Sequence, residues 1–170
     1  MSRRPFRIGR SNTGFGLFAT RPIKKKARIT EYRGPVLDHE TAVRAENRGN
    51  RYLFEVSKNR TIDGTPRYNV ARYANHSCNP NSEPIIWRGR VFIRTLRNIK
   101  PGEEIVYDYG TDYLKNVIGR SNCQCSRCRR RRARRARELR VAKARRAARL
   151  SRERRARRKA MRRTSRRTKR

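Results

Sequence analysis

The abrupt change in composition after Cys128 limits what this chain can fold into. From residue 129 to residue 170 the sequence has 24 basic and two acidic residues, and it has no aromatic residue and no proline. The preceding part has 25 basic and 11 acidic residues, together with the aromatic and β-branched residues that a core needs. About 128 residues can bury roughly two-thirds of their unfolded surface. We therefore expect a globular domain followed by a low-complexity basic tail.

The basic tail predicts a polyanionic partner. Arg and Ala are good helix formers, but arginines four residues apart repel one another, so the isolated tail should be disordered or a frayed helix. Binding to a polyanion would remove this repulsion and favour the helix. A run of arginines contacts phosphates without reading sequence, and such binding weakens steeply with salt. The tail 130–170 therefore predicts DNA or RNA as a partner, and a nucleic-acid-binding or chromatin-compacting protein is one interpretation of the chain.

The sequence contains no segment typical of export or membrane insertion. No run approaches the about 20 apolar residues that span a bilayer. The N-terminal MSRRPFRIGR is basic, but no apolar stretch follows it. We expect an intracellular protein without a membrane partner, located in the cytoplasm or nucleoid of a bacterium or in the nucleus of a eukaryotic or virus-infected cell. The sequence does not indicate an oligomeric state.

Short strands dominate the predicted secondary structure of the first 110 residues. Arg88-Gly89 and Pro101-Gly102 predict turns, and GFGLFAT (Gly14–Thr20) predicts a turn that leads into a strand. Asp38–Asn50 is the one helix-like piece, with Asp38 as a possible N-cap and Gly49 as its stop. The expected fold is mostly β, with one small helical insert. The predicted strands are rich in β-branched and aromatic residues: Arg28–Gly34, Arg51–Val56, Arg60–Asp63, Pro84–Leu96 and Glu104–Tyr109.

The four cysteines match the ligand demand of one zinc ion. Cys123, Cys125 and Cys128 form a C-x-C-x2-C cluster, and Cys78 is the remaining cysteine of the chain. Structural zinc takes four ligands in a tetrahedron, and thiolates suit it. In a reducing compartment such cysteines are more often metal ligands than disulfides. The alternative is a set of free thiols beside a basic tail.

Tyrosines on the predicted strands could form a site for a cation. Alternation places Tyr107 and Tyr109 on one face of their strand. Two phenol rings on one face can form an electron-rich slot, which attracts cations. Tyr32 and Tyr52 lie on other predicted strands, and the alternative for all four is an ordinary place in the core or on the surface. Likewise, a packed core histidine is the alternative for His76.

The motifs GFGLFA, ITEYRG, YLF, RYNVARYANHSCNPN, GEEIVYDYG and CQCSRC occur in this order along the chain. This series resembles SET-domain protein-lysine methyltransferases with a post-SET cysteine segment, over roughly Arg3 to Arg129. The resemblance implies a β-clip type fold of small sheets with a knot-like crossing, where the NHSC segment threads near the last strand. It implies a SET domain at 3–112, a linker and post-SET zinc segment at 113–129, and the basic tail at 130–170.

The resemblance also implies a role for each matching residue. Tyr109 corresponds to the catalytic tyrosine, and Tyr32 to a tyrosine of the lysine channel. Tyr107 stands where the family often has Phe or Tyr, and its hydroxyl favours mono- or dimethylation over trimethylation. A structural Zn²⁺ would be bound by Cys78, Cys123, Cys125 and Cys128. S-adenosylmethionine, the methyl donor, would be bound by Gly14, Phe15, Gly16, Tyr52, Asn75, His76 and Tyr109.

The chemistry that the resemblance implies needs few special groups. Methyl transfer requires a neutral amine, whereas free lysine has a pKa near ~10.4. A nearby sulfonium and an apolar channel both disfavour the ammonium form, so no dedicated base is required. Catalysis would then consist largely of positioning. The implied function is methylation of lysines in basic proteins, whether histone-like, nucleoid or ribosomal, and the tail lysines Lys143, Lys159 and Lys169 could themselves be substrates.

Three features depart from the pattern of the family. Tyr68 precedes Asn69 where the family often has Gly. The cysteine spacing is C-x-C-x2-C rather than the common C-x-C-x4-C. The insert between Gly34 and Tyr52 is short, which implies little peptide selectivity from this insert.

Overall fold

The computed structural model describes residues 4–167, and the side chains of residues 4–156. The start of the predicted SET domain at residue 3 and Lys169 lie outside the described residues. The described chain divides into two units between Cys128 and Arg129. In chain order the strands are β1 (Phe6–Ser11), β2 (Gly14–Ala19), β3 (Arg28–Tyr32), β4 (Val36–Leu37), β5 (Leu53–Ser57), β6 (Arg60–Asp63), β7 (Asn75–His76), β8 (Ser82–Trp87), β9 (Arg90–Thr95) and β10 (Glu104–Tyr107).

These strands form three small sheets around one core. The first sheet has the order β1-β2-β10-β7, the second β3-β9-β8 and the third β4-β6-β5. All pairs are antiparallel except β7 with β10, which is parallel. The core contains aliphatic side chains that are almost fully buried: Leu17, Val91, Ile93, Ile99 and Ile105. The predicted mostly-β architecture of small sheets is confirmed.

Two local predictions agree with the structure because local chemistry decides them. Helix α1 (His39–Asn47) has Asp38 as its N-cap, and the Asp38 carboxylate accepts a hydrogen bond from the backbone N–H of Thr41 at 2.8 Å. The turn between β8 and β9 is at Arg88-Gly89. Both residues have positive φ, 48° and 67°, as a two-residue type I′ hairpin turn requires.

The parallel pair β7–β10 lies where the sequence predicted a crossing of the chain. Val106 and Tyr107 pair with Asn75 and His76. After β7, the buried Asn81 side chain bonds along β10: its amide group donates to the Glu104 carbonyl at 2.7 Å, and its carbonyl oxygen accepts from the Val106 N–H at 2.9 Å. These bonds hold the NHSC segment against β10.

Other elements were not expected from local patterns. Strand β1 was not predicted, and GFGLFA is itself a strand, β2, paired along its length with β1. Strand β10 ends at Tyr107, so Tyr109 follows the strand rather than belonging to it. A short helix α2 (Thr111–Tyr113) continues as one π-helical segment, Leu114–Ile118, inside the predicted linker.

The basic tail belongs to one long helix. Helix α3 (Ser126–Arg167) has 42 residues, so the structure shows the helical alternative. Two ion pairs at i, i+4 spacing, Arg134–Glu138 at 3.5 Å and Arg149–Glu153 at 3.7 Å, oppose the repulsion between arginines. None of the described helices combines the length and the low polarity that crossing a bilayer requires.

Candidate active site

A cavity of about 570 Å³ opens beside the ends of β2, β3, β5 and β10. This volume lies within the about 300–1,000 Å³ that ligand pockets usually enclose. Its walls are unusually rich in aromatic side chains, which provide electron-rich faces for a cation. The aromatic residues of the wall are Phe15, Tyr32, Tyr52, Phe54, Tyr73, Tyr107, Tyr109 and Tyr113.

The tyrosines predicted to be catalytic are brought together in this cavity. The rings of Tyr107 and Tyr109 lie 4.7 Å apart between centroids. The Tyr109 hydroxyl donates to the Ala74 carbonyl at 2.8 Å, and the Tyr32 hydroxyl donates to the Tyr52 carbonyl at 2.8 Å. These bonds fix where the two phenols point.

Burial keeps these phenols in their neutral form. Loss of solvent raises the pKa of Tyr32, Tyr107 and Tyr109 above the ordinary tyrosine value, and neighbouring tyrosines raise the pKa of Tyr107 and Tyr109 further. Neutral phenols can donate and accept hydrogen bonds at physiological pH. They are poor proton acceptors and therefore unsuited to act as general bases.

A polar network joins β2 to β7 at the edge of the cavity. The Asn75 amide donates to the Phe15 carbonyl at 2.9 Å and to the Glu104 carboxylate at 2.8 Å, and the Ser11 hydroxyl donates to the same carboxylate at 2.7 Å. A Cβ atom on Gly16 would lie 2.4 Å from that carboxylate, so any other residue here would displace the Glu104 side chain from the network. Among the predicted cofactor-binding residues, those that line the cavity are Gly14, Phe15, Tyr52, Asn75 and Tyr109.

His76 and Gly16 are not among the residues that line the cavity. Nδ1 of His76 accepts the backbone N–H of Tyr109 at 3.2 Å, which places the ring proton on Nε2. Nε2 lies 3.3 Å from the Cys78 sulfur. Burial lowers the pKa of His76, although Asp108 opposes this effect, so the imidazole is neutral. His76 thus connects Tyr109 to the cysteine cluster, and its predicted contact with the cofactor stays a prediction.

Sequence reasoning missed Arg72, which lines the cavity. Its guanidinium carbon lies 3.7 Å from the Tyr52 ring centroid, and Nη1 donates to the Thr65 carbonyl. Its Nε is buried and has no hydrogen-bond partner among the described residues. Its position three residues before the Asn75-His76 pair could have indicated that Arg72 lies near the site.

Sequence reasoning also missed Tyr113, which lies edge-on to Tyr109 with centroids 5.2 Å apart. Its hydroxyl donates to the Arg51 carbonyl at 3.2 Å. Tyr113 lies in the predicted linker, on the irregular α2 segment. No periodic pattern marks it, so nothing in the sequence directs it to the cavity.

A second, smaller cavity of about 210 Å³ shares part of its wall with the first. Arg51, Leu53, Glu55 and Tyr113 line both cavities. Glu46, on α1, lines the smaller one. None of the described basic side chains forms an ion pair with Glu46 or Glu55, although the chain has 49 basic residues. Arg51 and Lys58 line the same smaller cavity, so the described part of the groove beside the tyrosines carries charges of both signs that are not joined in ion pairs.

The four cysteines form one cluster. Their sulfur atoms all lie within 4.8 Å of one another, and Cys78 is 3.9 Å from Cys123 and 3.7 Å from Cys128. Zinc–sulfur bonds of about 2.3 Å in a tetrahedron place sulfurs about 3.8 Å apart, so the arrangement fits a zinc ion.

Cys125 also caps the start of helix α3. The backbone N–H of Cys128 donates to the Cys125 sulfur at 3.4 Å. Burial raises the pKa of Cys125, but backbone hydrogen bonds from Cys128 and Cys78 lower it more, to about 7. The helix start brings Cys128 one turn above Cys125, which explains how the short C-x2-C spacing closes the cluster. The Arg127 guanidinium, which donates to the Cys78 carbonyl at 3.0 Å, holds the same junction.

The fold and this site define the class of the chain. Residues 14–110 match the family model described as the SET domain. The chain belongs to the SET-domain family, as the motif series predicted.

Curated relatives agree with this assignment. The mouse histone-lysine N-methyltransferase NSD3 is 38% identical in an alignment 122 residues long, which covers 66% of this chain and 8% of the mouse protein. The H3 lysine-4 specific histone-lysine N-methyltransferase of Saccharomyces cerevisiae is 35% identical in an alignment 134 residues long, which covers 72% of this chain and 12% of the yeast protein. This chain thus spans only a small share of the length of these relatives.

A solved structure supports the fold. The Chaetomium thermophilum Polycomb Repressive Complex 2, described as autoinhibited and bound to S-adenosylmethionine, matches with a TM-score of 0.59 and 29% identity. The match covers 68% of this chain and 16% of that chain.

Proposed function

We propose that this chain is an S-adenosylmethionine-dependent protein-lysine methyltransferase. The observation that carries the proposal is the tyrosine-lined cavity at the junction of β7 and β10 in a SET domain. The relatives named as histone-lysine N-methyltransferases support the reaction class, and the structural neighbour bound to S-adenosylmethionine supports the donor.

The residues present fit the donor. The aromatic wall suits a sulfonium, and the Arg72 guanidinium in the same wall suits a carboxylate of the ligand. Gly14, Phe15, Tyr52 and Asn75 would hold the donor along the β2 edge of the cavity. S-adenosylmethionine, when bound there, supplies an electrophilic methyl group.

The roles of the chain's own residues follow from their protonation and position. Tyr109 and Tyr32, neutral and fixed by backbone hydrogen bonds, orient the lysine amine with its lone pair toward the donor. Burial in the cavity and the positive charge of a bound donor would both disfavour a charged ammonium, so the amine enters the reaction neutral. Tyr107 adds a hydroxyl beside Tyr109 that fills space next to the amine, which favours mono- or dimethylation.

The groove next to the tyrosines can contact a basic substrate. Glu46 and Glu55 offer carboxylates to lysine or arginine residues that flank the target lysine. Arg51 and Lys58 line the same groove, so these contacts alone do not select a basic substrate. The relatives named as histone-lysine N-methyltransferases support basic proteins, such as histone-like, nucleoid or ribosomal proteins, as substrates. The site of action would then be intracellular, in the nucleus or nucleoid. The Cys78, Cys123, Cys125 and Cys128 cluster would hold a structural zinc ion.

Transfer of a labelled methyl group tests the proposal. Full-length protein is incubated with labelled S-adenosylmethionine and basic proteins of the native host, and modified residues are mapped by mass spectrometry. We expect methyl-lysine with the wild type and at least about a hundredfold lower rate with Tyr109→Phe, because the amine loses its orienting group. Asn116→Ala, an exposed change in the same C-terminal segment, is the control. Absence of methyl-lysine in the wild type, or an equal rate in Tyr109→Phe, contradicts the proposal.

We propose a second function for the tail: it binds nucleic acid and holds the enzyme near basic substrates. The supporting observation is helix α3, whose described side chains beyond Arg134 are all exposed and include ten basic residues against two acidic ones. Removing 130–170 should eliminate most DNA affinity and its steep salt dependence while leaving peptide methylation intact. Equal DNA affinity of both proteins at moderate salt contradicts this role.

A further inference from the structure

The outer face of the β3-β9-β8 sheet interleaves arginines with aromatic rings. The guanidinium carbon of Arg28 lies 4.5 Å from the Trp87 ring centroid and 5.4 Å from that of Phe92. Arg88 lies 4.7 Å from Trp87, and Arg90 lies 5.2 Å from Phe92. The two rings are 6.2 Å apart in an edge-on arrangement. We call these five residues the Trp87 face.

The Trp87 face is positively charged. Glu31 lies beside it, but Arg90 and Arg33 donate hydrogen bonds to its carboxylate at 2.7 and 2.8 Å. These arginines, Arg90 foremost, hold the pKa of Glu31 down to about 2, so its negative charge is fully balanced. Arg28 and Arg88 form no ion pair with any carboxylate among the described residues, so their charges remain available to a partner.

The face is also accessible. Trp87 is 42% exposed at the hairpin end of β8, and its strand partner Arg90 is exposed as well. Arg88 presents its side chain from the hairpin turn at φ 48°, a conformation in which Asn or Gly is favoured over Arg. The chain thus keeps a long cationic side chain at a position where a smaller residue would be more stable.

We propose that the Trp87 face binds single-stranded nucleic acid. Unpaired bases stack on aromatic rings and on guanidinium planes, while arginines beside them contact the phosphates. The face combines both kinds of group within one strand hairpin. A duplex hides its base faces and an acidic peptide has none, so neither would use Trp87 and Phe92. This surface lies outside the cavity and is separate from the binding proposed for the tail.

Trp87 reports on this face directly, because it is the only tryptophan of the chain. Full-length protein is titrated with oligothymidylate, with polyphosphate and with polyglutamate, and tryptophan fluorescence is recorded. The basic tail can bind all three, but only oligothymidylate can stack on the ring. Strong quenching by oligothymidylate alone supports the proposal. Equal effects of all three, or no quenching by oligothymidylate, overturn it.

A substitution at the turn separates binding from folding. Arg88→Asn removes one guanidinium from Trp87 and replaces it with a residue that the type I′ turn favours, so the thermal midpoint should not fall. We expect the oligothymidylate concentration for half-quenching to rise about threefold to tenfold. The control is Arg7→Gln, which removes an arginine 5.5 Å from the Phe18 ring on the β1–β2 sheet. A half-quenching concentration unchanged in Arg88→Asn, or raised equally in both variants, overturns the proposal.

Discussion

The tyrosines of the cavity show how burial decides what a side chain can do. Tyr107 is 8% exposed and Tyr32 is 5% exposed. Each phenol is desolvated on folding, and a phenolate without water or a cation is disfavoured. The cavity therefore offers hydrogen-bonding hydroxyls of fixed direction and no strong base. A reaction that suits it needs orientation of a neutral nucleophile.

The pH dependence of methyl transfer should reflect the ionisation of the substrate lysine and not the ionisation of the tyrosines. Because the pKa values of Tyr32, Tyr107 and Tyr109 are raised, these phenols stay protonated up to and beyond pH 10. The logarithm of kcat/KM should rise with a slope of about one between about pH 7 and pH 9, as more lysine loses its proton. Initial rates across this range, with circular dichroism at each pH as a control, check the expectation. A fall in rate before about pH 9 in folded protein would show that a group needed in its protonated form, such as one of these phenols, loses its proton in this range.

The hydroxyl of Tyr107 should limit how many methyl groups are added. Tyr107→Phe removes one oxygen from the wall beside Tyr109 and leaves the ring contact at 4.7 Å in place. We expect the main product to shift toward a higher methylation state, with the rate of the first transfer changed less than about tenfold. Mass spectrometry of a peptide substrate over time measures both. An unchanged product distribution would show that another residue limits the number of methyl groups added.

At the scale of elements, the parallel pairing of β7 with β10 depends on Asn81. This side chain is 1% exposed and bonds both the N–H of Val106 and the C=O of Glu104. Ser77 and Ser82 add bonds to the carbonyls of Tyr107 and Val106 at 2.9 and 2.8 Å. Without Asn81, two buried backbone groups lose their partners, and each such loss costs about 1–3 kcal/mol.

Asn81→Ala should therefore reduce the free energy of unfolding by about 3 kcal/mol. The effect should also reach the cavity, since Tyr107 is the last residue of β10 and Tyr109 follows two positions later. Urea denaturation of the full-length protein measures the loss. Asn79→Ala, an exposed asparagine two residues earlier, is the matched control and should change stability by less than about 0.5 kcal/mol. Similar stability of the two variants would show that water replaces Asn81 at no cost.

Elements whose own residues favour a conformation could be predicted from the sequence. Strands β1 and β7, which depend on pairing with distant parts of the chain, could not. The α1 cap at Asp38 and the turn at Arg88-Gly89 follow from the preferences of single residues. Strand β7 has two residues, and it is a strand only because β10 lies beside it. Tyr109 looked like part of a strand, but its N–H bonds the His76 ring instead of a neighbouring strand. The motif series supplied the site residues that periodicity could not.

At the scale of the whole molecule, the cysteine cluster connects distant parts of the folded unit. Cys78 follows β7, whereas Cys123, Cys125 and Cys128 follow the α2 segment that carries Tyr113. The chain between Tyr113 and Cys123 has few buried side chains, so its position depends on what holds its end. A zinc ion at the cluster would anchor this end and keep Tyr113 beside Tyr109.

Removing the metal should consequently affect both stability and catalysis. We expect elemental analysis to find about one zinc ion per chain in the wild type. Cys123, which is 1% exposed, is buried in the cluster, so the Cys123→Ser variant should lose the zinc ion. Because this variant frees the segment that bears Tyr113, the KM for the peptide should rise at least about tenfold and the thermal midpoint should fall. Arg120→Gln, an exposed change in the same segment, should retain zinc and activity. A metal-free Cys123→Ser protein with wild-type KM would show that the α2 segment keeps its place without zinc, through contacts such as the hydrogen bond from Tyr113 to the Arg51 carbonyl.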